Sequence, residues 1–240
     1  KALRSRVELK KEEFIQLLTK QLSGLGIRQE DVEYAVNKTD LKSSSDDNKF
    51  LEFIEILREK SKPIIVAANK IDIPEGMKNA EKLMSEYDNI VPCSADAELA
   101  LRKAAEKGLI NYIPGDQPCD FEIIGELTNE QRAALEMIRK KIFVTGTGVQ
   151  DLIYKTVFYL LKMIVVYPVE NETKLTDKNG NVMPDAFLMK KGSTALDLAY
   201  RVHEDIGKKF IAAVNCKNGK HVSASYELQN GDVISIKAGR

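Results

Sequence analysis

Residues 64–72 run I-I-V-A-A-N-K-I-D, and this stretch decides the fold. Its first five residues, Ile64 to Ala68, contain no polar side chain, a pattern typical of a strand covered on both faces of a sheet. Helical spacing over 76–87, a short strand at 90–93 and an alanine-rich helix over 97–107 follow. This alternation predicts an α/β sheet with right-handed crossovers. Since only two strands lie in this stretch, we expect the others outside this chain or from a partner.

Polar residues directly follow each of the two predicted strands. Asn69, Lys70 and Asp72 come after the first strand and match the N-K-x-D base-recognition motif of GTP-binding proteins. Ser94 and Ala95 come after the second strand and match the companion S-A motif. Each short pattern alone recurs by chance. Both at strand ends, with one helix between them, indicate a nucleotide-base site, because ligands of open α/β sheets bind beyond the carboxyl ends of the strands.

The residue types in the two motifs suit guanine. Guanine presents its N1–H and its N2 amine as adjacent donors, and the motif assigns the Asp72 carboxylate to accept both. Adenine lacks this pair and would leave the carboxylate desolvated, an asymmetry that can give roughly ten-thousand-fold rejection. By the same resemblance, the Lys70 stem covers the purine face and Asn69 holds the loop. Ala95 would donate its backbone N–H to guanine O6, and Ser94 would brace its own loop.

Two other interpretations of these residues remain open. In the first, N-K-I-D is a surface turn, and Asp72 caps the helix that follows Pro74. In the second, Cys93 beside the motif is reactive, although packing within the strand is favoured because no histidine lies near it in sequence. Neither interpretation explains why Ser94 and Ala95 occur at the matching strand end.

A complete GTPase also needs G-x-x-x-x-G-K-[ST] to hold the phosphates and D-x-x-G to sense the γ-phosphate. We expect neither motif in this chain. Gly146-Thr147-Gly148 and Lys191-Gly192-Ser193-Thr194 are interpreted as helix entry loops with serine or threonine caps. We therefore expect half of a nucleotide site, no catalytic residue and no GTP hydrolysis by this chain alone.

The remainder of the chain predicts two further regions. Before residue 62, helices over 10–22 and 29–37, and a third with Phe50, Phe53, Ile54 and Leu57 on one face, predict a helical hairpin or small bundle. After a loop over 111–120, Thr128 caps a helix through Ile142, and another helix carries apolar residues from Ile153 to Ile164.

From Val165 onward the pattern changes to short strands. Three Asn-Gly pairs, at 179–180, 218–219 and 230–231, predict tight hairpins. A single helix opened by Ser193 or Thr194 lies among them, and we expect one stripe of it to carry Leu196, Ala199, Tyr200 and His203. Together these patterns predict a small α+β module with one helix packed across a mixed sheet.

Beyond the motifs, the chain resembles the Obg-related GTPases, specifically the YchF-like branch in its archaeal form. The segment 94–105, S-A-D-A-E-L-A-L-R-K-A-A, with a later I-P-G-D, is similar to the segment after the guanine loop of that group. Residues 167–170, Y-P-V-E, and 188–199, L-M-K-K-G-S-T-A-L-D-L-A, resemble its C-terminal TGS domain.

The resemblance implies a helical insert over 1–61, the C-terminal part of the GTP-binding domain with the following helices over 62–163, and a TGS domain over 164–240. The predicted fold class is an α/β partial G domain of the P-loop NTPase type with a helical insert, plus a C-terminal α+β TGS domain of the β-grasp, ubiquitin-like type.

The resemblance also implies ligands and partners. It implies GTP or GDP, with Mg²⁺ in the complete protein, and contact of the TGS domain with the ribosome or RNA. The candidates for RNA contact are basic residues of the TGS part: Arg201, His203, Lys208, Lys209, Lys217, Lys220 and His221. A competing hypothesis makes the chain a non-catalytic RNA- or ribosome-binding module acting through the TGS domain, with the N-K-I-D loop vestigial. In a third, N-K-I-D is a coincidence within a multidomain protein.

Composition limits the partners and the compartment. The 240 residues hold 36 Lys plus Arg against 36 Asp plus Glu, so no bulk field draws the molecule to nucleic acid and any basic patch must be local. Three separated cysteines argue against a disulfide framework or a zinc site and favour a reducing cytoplasm. We expect no membrane segment. The start at Lys1, without methionine, suggests that the catalytic half precedes it.

Overall fold

The computed structural model describes residues 10–116, 119–142 and 145–239, so the predicted start at Lys1 and Pro118 of the predicted loop lie outside the described residues. The chain divides into two compact units, Lys1–Val66 and Ala67–Arg240. In the described ranges, no helix is long and apolar enough to cross a membrane.

The first unit is helical. Its helices are α1 (Lys11–Leu22), α2 (Gln29–Thr39) and α3 (Asp47–Ser61). They enclose a core that includes Phe14, Leu18, Val32, Val36, Phe53 and Leu57. The three helices are confirmed, but the predicted apolar face of α3 is wrong at Ile54, which is 54% exposed. Phe53 and Leu57, one turn apart, carry the packing instead.

A two-stranded sheet follows the helices along the chain. It consists of β1 (Val66–Ala68) and β2 (Ile90–Pro92), with α4 (Pro74–Glu86) between them and α5 (Ala95–Glu106) after β2. The prediction of a strand covered on both faces is wrong, since Ile64 is 59% and Val66 41% exposed. In the part of the chain that the structure describes, no third strand joins this sheet.

A β-hairpin and a helix form the next layer. The strands β3 (Ile110–Tyr112) and β4 (Phe121–Ile123) pair antiparallel, and α6 (Asn129–Ile142) packs against them with a core that includes Leu101, Leu135 and Ile142. The predicted loop over 111–120 is wrong at its start, because Tyr112 pairs with Phe121. The predicted Thr128 cap of α6 is confirmed: the Gln131 N–H donates to the Thr128 hydroxyl at 3.2 Å.

The next helix is shorter than its apolar pattern predicted. α7 (Val149–Tyr154) continues as π-helix over Lys155–Leu160, and β5 (Met163–Val169) begins three residues later. Ile164 is therefore a buried strand residue. Lys162 has φ +50°, which ends the helix, and strand pairing of the run Ile164 to Val166 then outweighs the helical spacing.

The C-terminal sheet is five-stranded and mixed. Its strands are β5, β6 (Phe187–Lys190), β7 (Phe210–Asn215), β8 (Lys220–Val222) and β9 (Asp232–Ala238), in the order β6-β5-β9-β7-β8. β5 and β9 are parallel and the other pairs are antiparallel. α8 (Ala195–Val202) packs on one face, and the short α9 (Glu204–Lys208) follows it. This arrangement confirms the α+β module.

Two details of this module differ from the sequence prediction. Asn218-Gly219 forms the β7–β8 hairpin, but Asn230-Gly231 closes onto β5: the Gly231 N–H donates to the Val165 carbonyl at 2.7 Å. The apolar stripe of α8 is Ala195, Leu198 and Ala199, whereas Tyr200 is 48% exposed. Thr194 caps α8 together with Asp197, as the sequence allowed.

We predict that Leu198→Ala destabilises the C-terminal module by about 2–5 kcal/mol, because Leu198 is fully buried and the change leaves a cavity. Leu188→Ala is the matched control: Leu188 is 47% exposed in the same module, so its loss should cost about 1 kcal/mol or less. Urea unfolding followed by circular dichroism measures both. An equal decrease in the free energy of unfolding in the two variants would contradict the assignment of Leu198 to the core.

Candidate functional site

The carboxyl ends of β1 and β2 bring the two predicted motif loops side by side. The Cys93 N–H donates to the Ala68 carbonyl at 3.0 Å, and the Ile71 N–H donates to the Cys93 carbonyl at 3.2 Å. The first bond pairs the strand ends, and the second fastens the middle of the 69–72 loop to the end of the second strand. The loops are therefore neighbours because of backbone pairing, before any side chain is considered.

Asn69 joins the two loops through its side chain. Its Oδ1 accepts the N–H of Lys70 at 2.8 Å and the N–H of Ala95 at 3.0 Å. Across 26 residues, the first motif thus holds the backbone of the second. The Ala95 N–H assigned to guanine O6 is already engaged with Asn69, so a base that enters the site must share this donor or take it from Asn69.

Asp72 and Ser94 form the second link between the loops. The Ser94 hydroxyl donates to Asp72 Oδ1 at 2.7 Å, and the same hydroxyl accepts the Ala97 N–H at 3.3 Å as the cap of α5. Ser94 is fully buried. Among the described residues, Asp72 Oδ2 has no recorded donor, so one oxygen is free to accept and Oδ1 keeps a second lone pair.

Lys70 occupies a strained turn between these links. Its φ is +71°, and its carbonyl accepts the Ile73 N–H at 3.2 Å while its side chain stays exposed. Gly76 lies beneath this carbonyl: a Cβ there would come within 1.9 Å of the Lys70 oxygen. The N-K-I-D turn therefore depends on the missing side chain of Gly76.

The structure contradicts the capping role considered for Asp72. α4 begins at Pro74, its cap position is Ile73, and no side chain caps it. The carboxylate instead holds Ser94. Cys93 is 3% exposed, and burial raises the pKa of its thiol, in keeping with a packing role.

Sequence patterns did not predict the residues outside the two motifs that hold the motif loops in place. The Ser94 N–H donates to the Thr147 carbonyl at 2.8 Å, and the Lys141 ammonium contacts the Asp72 carbonyl. Gly148, at φ +74°, lies so near β2 that a Cβ would be 2.0 Å from the Pro92 oxygen. Gly148 precedes α7, so the helix-entry interpretation of 146–148 is confirmed, but the predicted threonine cap is wrong: Gly148 is the cap residue, no side chain caps α7, and the Thr147 hydroxyl donates to Glu98. The two glycines of the segment 146–148 were the one feature of the sequence that could have indicated this supporting region.

A buried carboxylate organises this supporting region. Glu98, on α5, is 5% exposed and accepts hydrogen bonds from Tyr112, Thr147, Gln150 and Arg102. Burial alone would raise the pKa of Glu98, but the four hydrogen bonds outweigh it and the pKa is lowered. Glu98 therefore stays ionised and accepts all four donors. The pKa of the Tyr112 hydroxyl is raised, first because Tyr112 is buried and then because it donates to Glu98.

The basic candidates of the C-terminal module fall into two groups. Arg201, Lys208 and Lys209 lie on or next to α8 and α9, before β7, whereas Lys217, Lys220 and His221 lie around the hairpin at its far end. At about 3.4 Å per residue, the six residues of β7 separate the groups by roughly 20 Å. One compact patch therefore cannot contain all of them.

Local contacts occupy some of these candidates. Lys208 pairs with Glu204 at 2.7 Å. His203 is exposed, and its Nδ1 accepts the Asp205 N–H at 3.1 Å, so it caps α9.

The expectation that D-x-x-G does not occur in this chain is wrong as to the letters, which stand at Asp177-Lys178-Asn179-Gly180. The Asp177 carboxylate accepts the N–H groups of Asn179 and Asn181 at 2.9 and 2.8 Å and closes a turn of the C-terminal module. This segment follows Asp72 by more than 100 residues, and its carboxylate is engaged in closing the turn, so it supplies a turn and not a phosphate sensor.

Comparisons with known proteins identify similarities over most of the chain. Residues 67–171 match a family described as Obg-like GTPase YGR210-like, G4 motif-containing domain, and residues 176–238 match the TGS domain. The chain is 47% identical over 232 residues to the uncharacterized GTP-binding protein MJ1332 of Methanocaldococcus jannaschii, covering 92% of this chain and 57% of that protein.

Two further similarities agree with these. The chain is 31% identical over 144 residues to the uncharacterized GTP-binding protein C428.15 of Schizosaccharomyces pombe, covering 55% of this chain and 35% of that protein. A crystal structure of a GTP-binding protein from Pyrococcus horikoshii OT3 aligns with a TM-score of 0.70 and 37% identity, over 94% of this chain and 61% of that one. The chain thus spans less than two thirds of the relatives it matches.

We predict that Gly76→Ala distorts the 69–72 loop and destabilises its unit by about 1–3 kcal/mol, because the new methyl collides with the Lys70 carbonyl. Amide shifts of Lys70 to Ile73 in nitrogen–proton spectra, with thermal unfolding, measure the effect. Gly24→Ala is the matched control, since a Cβ there meets nothing within 4 Å. Unmoved loop amides in Gly76→Ala would contradict the predicted collision.

Proposed function

This chain is an Obg-like protein that joins the G4 motif-containing domain of YGR210-like Obg-like GTPases to a TGS domain, and from that premise we propose that it recognises the base of GTP or GDP. The single observation that carries the proposal is the Ser94–Asp72 hydrogen bond, which fixes a carboxylate with an open oxygen at the end of the sheet. The proposed base site consists of Asn69, Lys70, Asp72, Ser94 and Ala95, in which Lys70, Asp72 and Ala95 contact the base while Asn69 and Ser94 hold the two loops.

The proposed chemistry is selective acceptance of two adjacent donors. Asp72 would accept guanine N1–H and one N2 hydrogen, and the buried Ser94 hydroxyl would keep the carboxylate from rotating away. The exposed Lys70 stem would cover one face of the purine. Adenine would leave Asp72 unpaired, which opposes binding more strongly than a missing contact alone.

The phosphates need groups that these residues do not supply. Among the described residues, no cluster of three or more His, Cys, Asp or Glu side chains could hold a metal ion, so we assign no step to Mg²⁺. We propose that a P-loop and a D-x-x-G segment outside these 240 residues supply the phosphate and Mg²⁺ contacts in the whole protein. On this proposal, the chain alone binds the base and does not hydrolyse GTP.

We also propose four more specific features of this chain, which we inferred from its sequence. These are the YchF-like branch, a ribosome-associated role, a cytoplasmic location, and the domain limits 1–61, 62–163 and 164–240. The resemblance supports a role of the TGS domain in contacting RNA or the ribosome. All three cysteines are free thiols, which is compatible with a reducing compartment.

We predict that Asp72→Asn changes the base that the site prefers from guanine to xanthine. Xanthine carries a carbonyl where guanine has its N2 amine, so an amide donor suits it and a carboxylate does not. Nuclear magnetic resonance titrations with GMP and XMP measure the affinities, since base contacts alone give dissociation constants near the millimolar range, about −4 kcal/mol. GMP binding should weaken at least tenfold in the variant, and XMP binding should strengthen. Equal GMP affinity in both proteins would refute the proposed contact.

We predict that reversing Lys208 and Lys209 to Glu weakens binding to structured RNA about tenfold or more. With Arg201, these lysines form the group of cations beside α8 and α9, and phosphate contacts depend on such charge. Lys190→Glu with Lys191→Glu is the matched control, because both lysines are exposed in the same module and neither is a candidate for RNA contact; it should change binding less than threefold. Fluorescence anisotropy at fixed salt measures both. No RNA binding by the unaltered chain would count against this role.

A further inference from the structure

Glu98 follows the proposed base site by one helical turn: its backbone N–H donates to the Ser94 carbonyl at 3.2 Å, whereas its carboxylate bonds to residues outside the site. Its carboxylate joins three separate parts of the chain. Arg102 Nε, from the same helix α5, and Gln150 Nε2 donate to Oε1 at 2.6 and 2.7 Å. The hydroxyls of Tyr112, from β3, and Thr147 donate to Oε2 at 2.9 and 2.6 Å.

All four partners of Glu98 are donors. An ionised carboxylate is an acceptor-only group with room for four hydrogen bonds, so its capacity is fully used. Because the group is only 5% exposed, water cannot replace a lost partner, and removal of the carboxylate leaves buried donors unsatisfied. The segment 147–150 is the part held most strongly, since it supplies two of the four donors.

That segment is in direct contact with the base site. The Thr147 hydroxyl faces Glu98, while the carbonyl of the same residue accepts the Ser94 N–H at 2.8 Å. Ser94 in turn donates its hydroxyl to Asp72 at 2.7 Å. Gly148 has no space beside the Pro92 carbonyl, so the segment cannot slide without disturbing the end of β2.

We propose that Glu98 is a positioning residue for guanine selectivity, which acts by holding Thr147 so that Thr147 holds Ser94 and Ser94 holds Asp72. The proposal rests on the proposed function, because it concerns the selectivity of that same site. Loss of the Glu98–Thr147 hydrogen bond loosens the Ser94 backbone, and the Asp72 carboxylate then no longer faces both donors of guanine.

Two readouts test this chain of contacts in the whole 240-residue chain. The first is the hydrogen-exchange rate of the Ser94 amide, which the Thr147 carbonyl protects. The second is the ratio of the dissociation constants of IMP and GMP. IMP has the N1–H of guanine but lacks the N2 amine, so the ratio measures how well Asp72 accepts the second donor.

The variants separate positioning from general stability. In Thr147→Val the side chain keeps its shape and loses its hydroxyl, and in Thr147→Ser the hydroxyl is retained. Glu98→Ala removes the carboxylate, and Glu106→Ala is the control on the exposed side of the same helix.

We expect Thr147→Val and Glu98→Ala to raise Ser94 exchange at least tenfold and to reduce the IMP-to-GMP ratio at least fivefold. Thr147→Ser and Glu106→Ala should stay within twofold of the unaltered chain. If Glu98→Ala does not fold, the same two readouts in Thr147→Val test the proposal without it.

Unchanged Ser94 exchange in folded Thr147→Val overturns the proposal, and so does weakening of GMP and IMP by the same factor. Failure of the proposed function looks different. In that case the unaltered chain does not distinguish GMP from IMP, whereas the Ser94 exchange rates still show whether Glu98 holds Ser94.

Discussion

The hydrogen bond between the Ser94 hydroxyl and the Asp72 carboxylate is the constraint on which the site depends. It joins two segments separated by 22 residues and involves a fully buried hydroxyl. A hydrogen bond to a charged group contributes about 1.5–3 kcal/mol, and its loss would leave a buried polar group unpaired. The bond therefore fixes the carboxylate direction before any ligand arrives, and such preorganisation lowers the cost of binding.

The surrounding structure holds this bond in place from several sides. Ser94 is at once the cap of α5, the donor to Asp72 and, through its N–H, a partner of Thr147. Two glycines allow the close backbone approaches, Gly76 under Lys70 and Gly148 against Pro92. A base site of two short loops is thus supported by a helix start, a buried carboxylate and two positions where no side chain fits.

Local patterns in the sequence predicted the parts of this protein that depend on neighbouring residues. The motif letters located Asn69, Asp72 and Ser94, and alternation, caps and turns predicted the helices and the α+β module. The sequence could not show Lys141, Thr147 or Glu98 as supporting residues, because they make their contacts across 49 to 69 residues and depend on the finished fold. The predicted helix through Ile164 was wrong for a related reason, since pairing with β6 and β9 decides the conformation of that segment.

A structure of this chain with bound GMP tests the central claim most directly. The account predicts guanine N1 and N2 each within about 2.6–3.2 Å of an Asp72 carboxylate oxygen. It also predicts that the Ser94–Asp72 hydrogen bond is present both with and without the nucleotide. A base bound away from Asp72, or a Ser94–Asp72 bond that is absent in the free protein, would contradict a preformed guanine site.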